Sequence, residues 1–418
     1  MSPAAQGVRE HPAPRRLELD LTSPEPIPEA GIARADELMR TGRLFRYAET
    51  GVGDGDDAAI LEERMADLVG RRYAVAVNSC GSAMFLALRS VGVRPGDRVL
   101  VNGYTLAPVP GAIDHAGAVP VLVEITEDLT VDLTDLRGKA ESSGATVLLL
   151  SHMRGHLADL DEVSALCEEL GLVLIEDCAH TLGARWSGRS AGTFGRIGCF
   201  SAQTFKHLNT GEGGFLVTDD DDVAARAILH SGSYMLYGQH RARPPLHVFE
   251  PLRGRVANYS LRLSALAAAV ALPQLDLLPE RIATMNDRYR SLEALLSAVR
   301  EVRLVRRDPR EEFVGSSCQF TLPGFGPDRI RRFTEVANDY GLHVKWFGES
   351  RMLGFTSRPG QWEYVEPAQQ LPRTEAILSK LCEIRVPPGM QPDHCHLAAE
   401  IIRFAAHTAA SVIGPGPD

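Results

Sequence analysis

The sequence predicts an α/β protein with a large domain on a mainly parallel sheet and a smaller α+β C-terminal domain. Three observations predict it. From about residue 30 to 275, short apolar runs alternate with helical patterns, as expected where parallel strands are joined by crossover helices. A long helical region then spans 261–299. Beyond residue 300 strands and helices mix without that alternation. The division expected is a flexible N-terminal segment over 1–25, the large domain over 26–275 and the small domain over 276–412.

The elements follow in order. YAVAV (73–77) is a short apolar strand, followed by the helical stretch GSAMFLALRSVG (81–92). RVLV (98–101), VPVLVEI (119–125), TVLLLSH (146–152) and LVLIED (172–177) read as further buried strands bounded by turn signals. Helix 160–171 carries Leu160, Val163, Leu166 and Leu170 at helical spacing. GCFSAQ (198–203) and GFLVTD (214–219) complete the set. The region 261–299 is expected to be interrupted at Pro273 and Pro279. In the second unit EVRLVRRD, SSCQFTL and LHVKWFG read as strands, with helices at 328–341 and 396–410. The N-terminus is rich in Pro, Ala and Arg, and GPGPD is read as a loose tail.

Composition excludes several classes. A net charge of -10 over 418 residues leaves no basic surplus to neutralise phosphates, so neither nucleic acid nor an anionic membrane is expected as partner. No apolar run is long enough to span a bilayer. The N-terminus lacks the apolar centre of a secretory signal, and the cytoplasm is the expected compartment. The seven cysteines are scattered without a CxxC pair, which predicts neither disulfides nor a metal site. Asp219–Asp222 reads as an acidic helix start and His394-Cys395-His396 as a helix-start loop. Trp346 and Trp362 read as core or lid residues. More informative is that the 44 basic residues include only four lysines, Lys139, Lys206, Lys345 and Lys380. Guanidinium cannot lose its proton and form an imine, so a lysine kept in so Arg-rich a chain raises the question of a reactive amine.

In open parallel sheets, ligands bind beyond the carboxyl ends of the strands. Three strand ends here carry suitable groups. Asn78-Ser79-Cys80-Gly81-Ser82-Ala83 joins a strand to a helix, where small residues admit a phosphate or simply cap the helix. No GxGxxG is present, which tells against a dinucleotide fold. Glu176-Asp177-Cys178-Ala179-His180 ends another strand; Asp177 is either a cap or the partner of a protonated pyridine nitrogen. In Ser201-Ala-Gln-Thr-Phe-Lys206, a rare lysine stands between an apolar strand and the turn Gly211-Glu-Gly-Gly214. Desolvation there lowers an amine's pKa and makes it nucleophilic.

Asp177…His180, Ser201-x4-Lys206 and GEGG, in this order, resemble the DegT/DnrJ/StrS family of sugar or aminocyclitol aminotransferases dependent on pyridoxal 5'-phosphate (PLP). The likeness runs from LFRYAETG (44–51) to LPRTEAILSKLCEIRVPPGM (371–390) and is densest over 171–219, where Gly192-Thr-Phe-Gly195 adds a further match. It implies the fold-type-I, aspartate aminotransferase-like architecture. By the same resemblance Lys206 holds PLP as a Schiff base and shuttles the substrate proton. Asp177 meets the pyridine nitrogen and His180 lies over the ring or by its phenolic oxygen. Ser201 and the turn Ser79, Cys80, Gly81 and Ser82 hold the phosphate, with Ser82 as the hydroxyl donor. Such proteins are homodimers with a shared site, for which Asn258 and Arg262 are the candidates.

Departures from the family pattern are also legible. Leu106 stands at the ring-stacking position, with Tyr104 two residues earlier as the alternative. Arg154 occupies the middle of His152-Met153-Arg154-Gly155, as a substrate contact or a salt bridge. The implied reaction moves an amino group from glutamate or glutamine to a keto-sugar, nucleotide-linked or free, or to a keto-cyclitol in natural-product or sugar metabolism. A PLP-dependent sugar dehydratase is the alternative, but such relatives replace the lysine with histidine. A non-catalytic family member is a third reading, whose signature would be loss of Lys206 or Asp177.

Overall fold

The computed structural model describes residues 12–47, 56–351 and 358–411. Seven five-residue strands form the large sheet: β1 (Tyr73–Val77), β2 (Arg98–Asn102), β3 (Val119–Val123), β4 (Val147–Ser151), β5 (Val173–Asp177), β6 (Ile197–Ser201) and β7 (Gly214–Thr218). Their order across the sheet is β1-β7-β6-β5-β4-β2-β3. Every pair is parallel except those made by β7, which runs against both neighbours. Nearly every strand residue is buried because both faces are covered. Alternate residues feed two cores. Ala74, Leu148, Leu174 and Phe200 face one side with helices Asp57–Val69 and Leu160–Leu170. Val75, Leu149, Ile175 and Cys199 face the other, with helices Cys80–Ser90 and Pro108–His115.

The crossover helices start where the sequence supplies an acid or hydroxyl. Asp56, Ser79, Asp132, Asp159 and Asp220 each accept a bond from the backbone N–H three residues on. Asp220 thus caps helix Asp221–Ile228, the acidic run read from sequence as a helix start.

The small domain is an antiparallel sheet of β8 (Arg303–Leu304), β9 (Ser317–Thr321), β10 (Lys345–Trp346) and β11 (Leu381–Arg385), in the order β8-β9-β11-β10. Helices Pro327–Asp339 and Pro392–Ala410 cover its apolar face, where Cys318, Phe320, Cys382 and Ile384 enter a third core.

Two sequence expectations are corrected. The region 261–299 is not interrupted: Ala265–Leu296 is a single 32-residue helix that contains both prolines. An interior proline costs a helix roughly 3 kcal/mol. Here the helix is buried at one end in the large-domain core (Ala268, Ala271, Leu275) and at the other in the small-domain core (Tyr289, Leu292, Leu296), and that packing outweighs the loss. The domain division expected at 275/276 therefore falls inside this helix. The second correction concerns the N-terminal segment. Residues 12–25 run as a strap whose Leu17 and Leu21 are buried in the small-domain core. Leu17 N donates to Tyr340 O (2.8 Å), and Glu25 pairs with Arg281 (2.9 Å). Two leucines four apart anchor what composition alone read as loose. Residues 1–11 and the C-terminal GPGPD lie outside the described residues. Among the described residues no helix is long and apolar enough to cross a membrane.

Candidate active site

The carboxyl ends of β1, β4, β5 and β6 share one edge of the sheet, and β7 begins there. Val77 and Ser201 both pair with Gly214, and Ser151 pairs with Asp177. This register brings the three polar strand ends to a cavity of about 370 Å³, lined by Ser79, Cys80, Gly81, Asp177, His180, Ser201 and Lys206 among others.

Strand alternation separates the two acids that end β5. Asp177 points into the cavity, where its Oδ2 accepts from Ser151 Oγ (2.7 Å) and its Oδ1 from Ala179 N (3.1 Å). Ser151 Oγ in turn accepts from Thr105 Oγ1 (2.7 Å). Glu176 points to the opposite face and holds the glycine turn: Gly192 N (2.9 Å), Phe194 N (2.8 Å) and Gly195 N (2.7 Å) all donate to it, and His152 Nε2 lies at 3.1 Å. Burial pushes the Glu176 carboxyl up, but His152 and these amides outweigh it and hold it below its ordinary value. His152, Glu176 and Cys178 converge closely enough to suggest a metal trio. With three amide donors and His152 directed at Glu176, however, its oxygens are already satisfied.

Lys206 lines the cavity, its Nζ 2.9 Å from His180 Nε2. Its tip is enclosed even though the side chain keeps surface facing the cavity. Burial, with Arg154 nearby, lowers its pKa from 10.5 to about 7, against the pull of Asp177. Burial and the Lys206 charge likewise push His180 well below 6.5, so it is a neutral imidazole. Cys80 Sγ lies 3.9 Å from Asp177 Oδ1; burial and that carboxylate raise it, so it remains a thiol.

At the opposite end, Ser79 Oγ accepts from Ser82 N (3.0 Å) and caps helix Cys80–Ser90. Among the described residues the amides of Cys80 and Gly81 have no protein acceptor, the ordinary state of a first helical turn. Both residues line the cavity. Ser201 Oγ accepts only a long bond from Gln203 N (3.3 Å), leaving its proton available. The turn approaches β7 so closely that a Cβ on Gly214 would lie 2.5 Å from Cys80 N and Ser79 C. That contact is the physical reason for the last glycine of GEGG.

Not every predicted residue reaches the cavity. Ser82 turns back, donating to Asn78 Oδ1 (2.7 Å) and accepting from Ser79 Oγ (2.9 Å). Tyr104 is fully buried between the domains with Ile125, Met153 and Phe347, and among the described residues its hydroxyl has no partner. Leu106, two residues on, does line the cavity. Asn258 is exposed and its Oδ1 accepts from Ser260 N within its own loop (2.9 Å). Arg262 Nη1 donates to Gly232 O (2.6 Å), and its guanidinium lies over Phe45. Neither lines the cavity in this chain. Arg154 lines an adjoining cavity of about 630 Å³ that shares Leu106, Pro108, Gln203 and Lys206 with the first. Sequence reasoning missed Ser151, Gln203 and Glu212 on the inner cavity, and Lys345, Glu383 and Arg385 on the outer one. The serine next to last in TVLLLSH, level with the aspartate ending LVLIED, was the one available signal.

Comparison with known proteins identifies the family. The 3-amino-5-hydroxybenzoate synthase of Amycolatopsis mediterranei (strain S699) is 29% identical over 391 residues, 90% of this chain and 96% of that protein. GDP-perosamine synthase of Caulobacter vibrioides is 31% identical over 224 residues, 53% of this chain and 57% of that protein. The crystal structure of 3-amino-5-hydroxybenzoic acid synthase superposes with a TM-score of 0.80 at 25% identity, covering 95% of this chain and 100% of that one. Residues 48–403 match the DegT/DnrJ/EryC1/StrS aminotransferase family. The chain belongs to that family and is an aminotransferase.

Proposed function

We propose that this aminotransferase uses PLP, and transfers an amino group from glutamate or glutamine to a keto-sugar, nucleotide-linked or free, or to a keto-cyclitol. The observation that carries the cofactor is the arrangement around one cavity: an anion site, a near-neutral amine and a fixed carboxylate. The residues fit the group. The free amides of Cys80 and Gly81, with the Ser201 hydroxyl and the Ser79 hydroxyl once it turns from Ser82, suit its phosphate at a helix N-terminus. The carboxylate of Asp177, oriented by Ser151 and Ala179, suits a protonated pyridine nitrogen. Leu106 and His180 are the candidates for its two faces.

PLP, when bound, supplies an electron sink for cleaving the C–H bond beside the transferred nitrogen. This chain's residues supply the rest. Lys206 Nζ takes the proton from the donor's amino-bearing carbon, and His180 Nε2 holds that amine in place. The neutral imidazole adds no competing charge beside it. A second copy of the chain, offering Asn258 or Arg262 at the open side, completes the site in this reading. Retention of Lys206 tells against the dehydratase alternative, and the intact Lys206–Asp177 pair against a non-catalytic role.

Two outcomes test the reading. Capture of PLP by the apoprotein requires the neutral amine, so its rate should rise about tenfold between pH 6 and 8, given a pKa of about 7 for Lys206. Stopped-flow absorbance reads it; a pH-independent rate, or no capture at all, removes the assignment. Gly214→Ala should weaken PLP retention at least about tenfold, because the added Cβ forces the Ser79–Cys80 backbone away from β7. Equilibrium dialysis reads that affinity, and an unchanged value overturns the proposed phosphate site.

A further inference from the structure

We propose that Thr105 and Ser151 are positioning residues: their hydroxyls form a one-way chain that fixes the Asp177 carboxylate as the partner of the cofactor's pyridine nitrogen. The proposal rests on the PLP reading above and assigns to it a chain of residues behind the carboxylate.

The sheet brings these side chains together. Ser151 and Asp177 end neighbouring parallel strands and stand level, so both side chains leave the same face of the sheet. The pairing of β2 with β4 stops at Val101 and Leu149. Beyond it the Asn102 side chain takes over. Its Oδ1 accepts from Ser151 N (2.8 Å), and its Nδ2 donates to Ser151 O (3.1 Å) and Tyr104 O (2.9 Å). One amide thus clamps the end of β4 to the loop that carries Thr105. Asn102, Thr105 and Ser151 are all buried.

The chain has a direction. A hydroxyl has one proton to give. Thr105 Oγ1 donates to Ser151 Oγ (2.7 Å), and Ser151 Oγ donates to Asp177 Oδ2 (2.7 Å). Among the described residues Thr105 Oγ1 has no second partner. Run in reverse, with Asp177 donating to Ser151 and Ser151 to Thr105, the chain would leave the Thr105 proton buried without an acceptor. The forward order leaves none, and each bond polarises the next in a low-dielectric interior.

Asp177 needs this support because its terminal torsion is soft: rotors of that type have broad minima. Ala179 N holds Oδ1 (3.1 Å), with Cys80 Sγ at 3.9 Å. Alone, that would let the carboxylate swing about one oxygen. Ser151 holds the other oxygen, so the plane is set, and each oxygen keeps a lone pair for a partner in the cavity. An acceptor fixed there favours a proton on the pyridine nitrogen, and that proton strengthens the ring as an electron sink. Ser151 and Asp177 line the inner cavity, whereas Thr105 does not. Thr105 therefore acts only through Ser151.

The test uses PLP-loaded protein and compares wild type with Thr105→Val, Thr105→Ser and Ser151→Ala, each also combined with Asp177→Asn. Thr105→Val keeps the side chain's volume and loses the donor; Thr105→Ser keeps the donor. Melting temperature establishes folding. One readout is the ¹⁵N resonance of PLP labelled at the ring nitrogen, which reports the proton there. The other is the rate of the half-reaction with glutamate or glutamine. The resonance is expected to move toward its unprotonated position in Thr105→Val and Ser151→Ala and to stay in place in Thr105→Ser. The rate at saturating donor should fall about 3- to 10-fold in Thr105→Val and about 10- to 100-fold in Ser151→Ala, with KM changed less than about twofold. In the Asp177→Asn background these further losses should vanish, because the chain acts through that carboxylate. An unmoved resonance in both Thr105→Val and Ser151→Ala, equal shifts in Thr105→Val and Thr105→Ser, or losses that add to that of Asp177→Asn overturn the proposal. A wild type that takes up no PLP overturns the cofactor reading itself; normal uptake with an unmoved resonance overturns this inference alone.

Discussion

Lys206→Ala is expected to lower amino transfer by at least about 10⁴-fold, because in the proposed mechanism one substitution removes both the covalent anchor and the proton carrier. Nothing nearby replaces it. His180 is within 2.9 Å, but burial keeps it a neutral imidazole, and an imidazole cannot form the link that a primary amine forms. Lys345 shares the outer cavity but stands on the small-domain sheet. Lys206→Arg separates charge from chemistry: it keeps a cation yet should be equally inactive, since guanidinium does not deprotonate. Both variants should still bind PLP weakly through Ser79, Cys80, Gly81 and Ser201, and gel filtration should strip it. Retention of more than about one hundredth of wild-type turnover in either variant would remove Lys206 from its proposed role.

Glu176→Ala is expected to be the most destabilising single change near the site, at about 3–5 kcal/mol. The alanine strands three backbone amides, those of Gly192, Phe194 and Gly195, together with His152. Water reaches little of this turn: Glu176, His152, Gly192 and Gly195 are buried and Phe194 is half-buried. Gly192 and Gly198 are in backbone contact, with a Cβ on Gly198 only 2.6 Å from Gly192 O, so the turn cannot relax to find new partners. Denaturant unfolding measures the loss, and a shift below about 1 kcal/mol would show the amides resatisfied. The pH sign follows from the lowered folded-state value. Glu176 stabilises fully above its ordinary value of 4.5, and that stabilisation fades as pH falls through the lower value of the folded state.

Much of this was legible in the chain, for reasons that particular residues make clear. Strands β1 to β7 showed themselves because a sheet covered on both faces demands unbroken apolar runs. That Lys206 and Asp177 line one cavity could be anticipated because a strand's carboxyl end is where a parallel sheet places its ligands, and lysine is rare here. Other features depended on distant packing. LCEIR alternates like a half-exposed strand, and no local signal states that Glu383 and Arg385 face a second domain instead of water. Tyr104 and Leu106 lie two apart in a loop without periodicity, so which one enters the cavity is fixed by tertiary contacts. Glu176 and Asp177 look equivalent as a dipeptide; only the pleat assigns one to the turn and the other to the site. The N-terminal strap was misjudged because Leu17 and Leu21 are few among many Pro and Arg residues, yet burial of those two decides its course.

The helix Ala265–Leu296 has a mechanical consequence. Because it is rooted in both cores, the small domain rides on a rod and not on a loose connector. Both prolines lie where the rod is still packed in the large-domain core, which it leaves only after Met285. From Met285 to Leu296 it extends about 16 Å at 1.5 Å per residue. A tilt of about 10° over that span would move its far end by nearly 3 Å, the length of a hydrogen bond. Leverage of that size is enough to shift the small-domain face carrying Glu383 and Arg385 as one unit while Lys206 stays in the turn after β6.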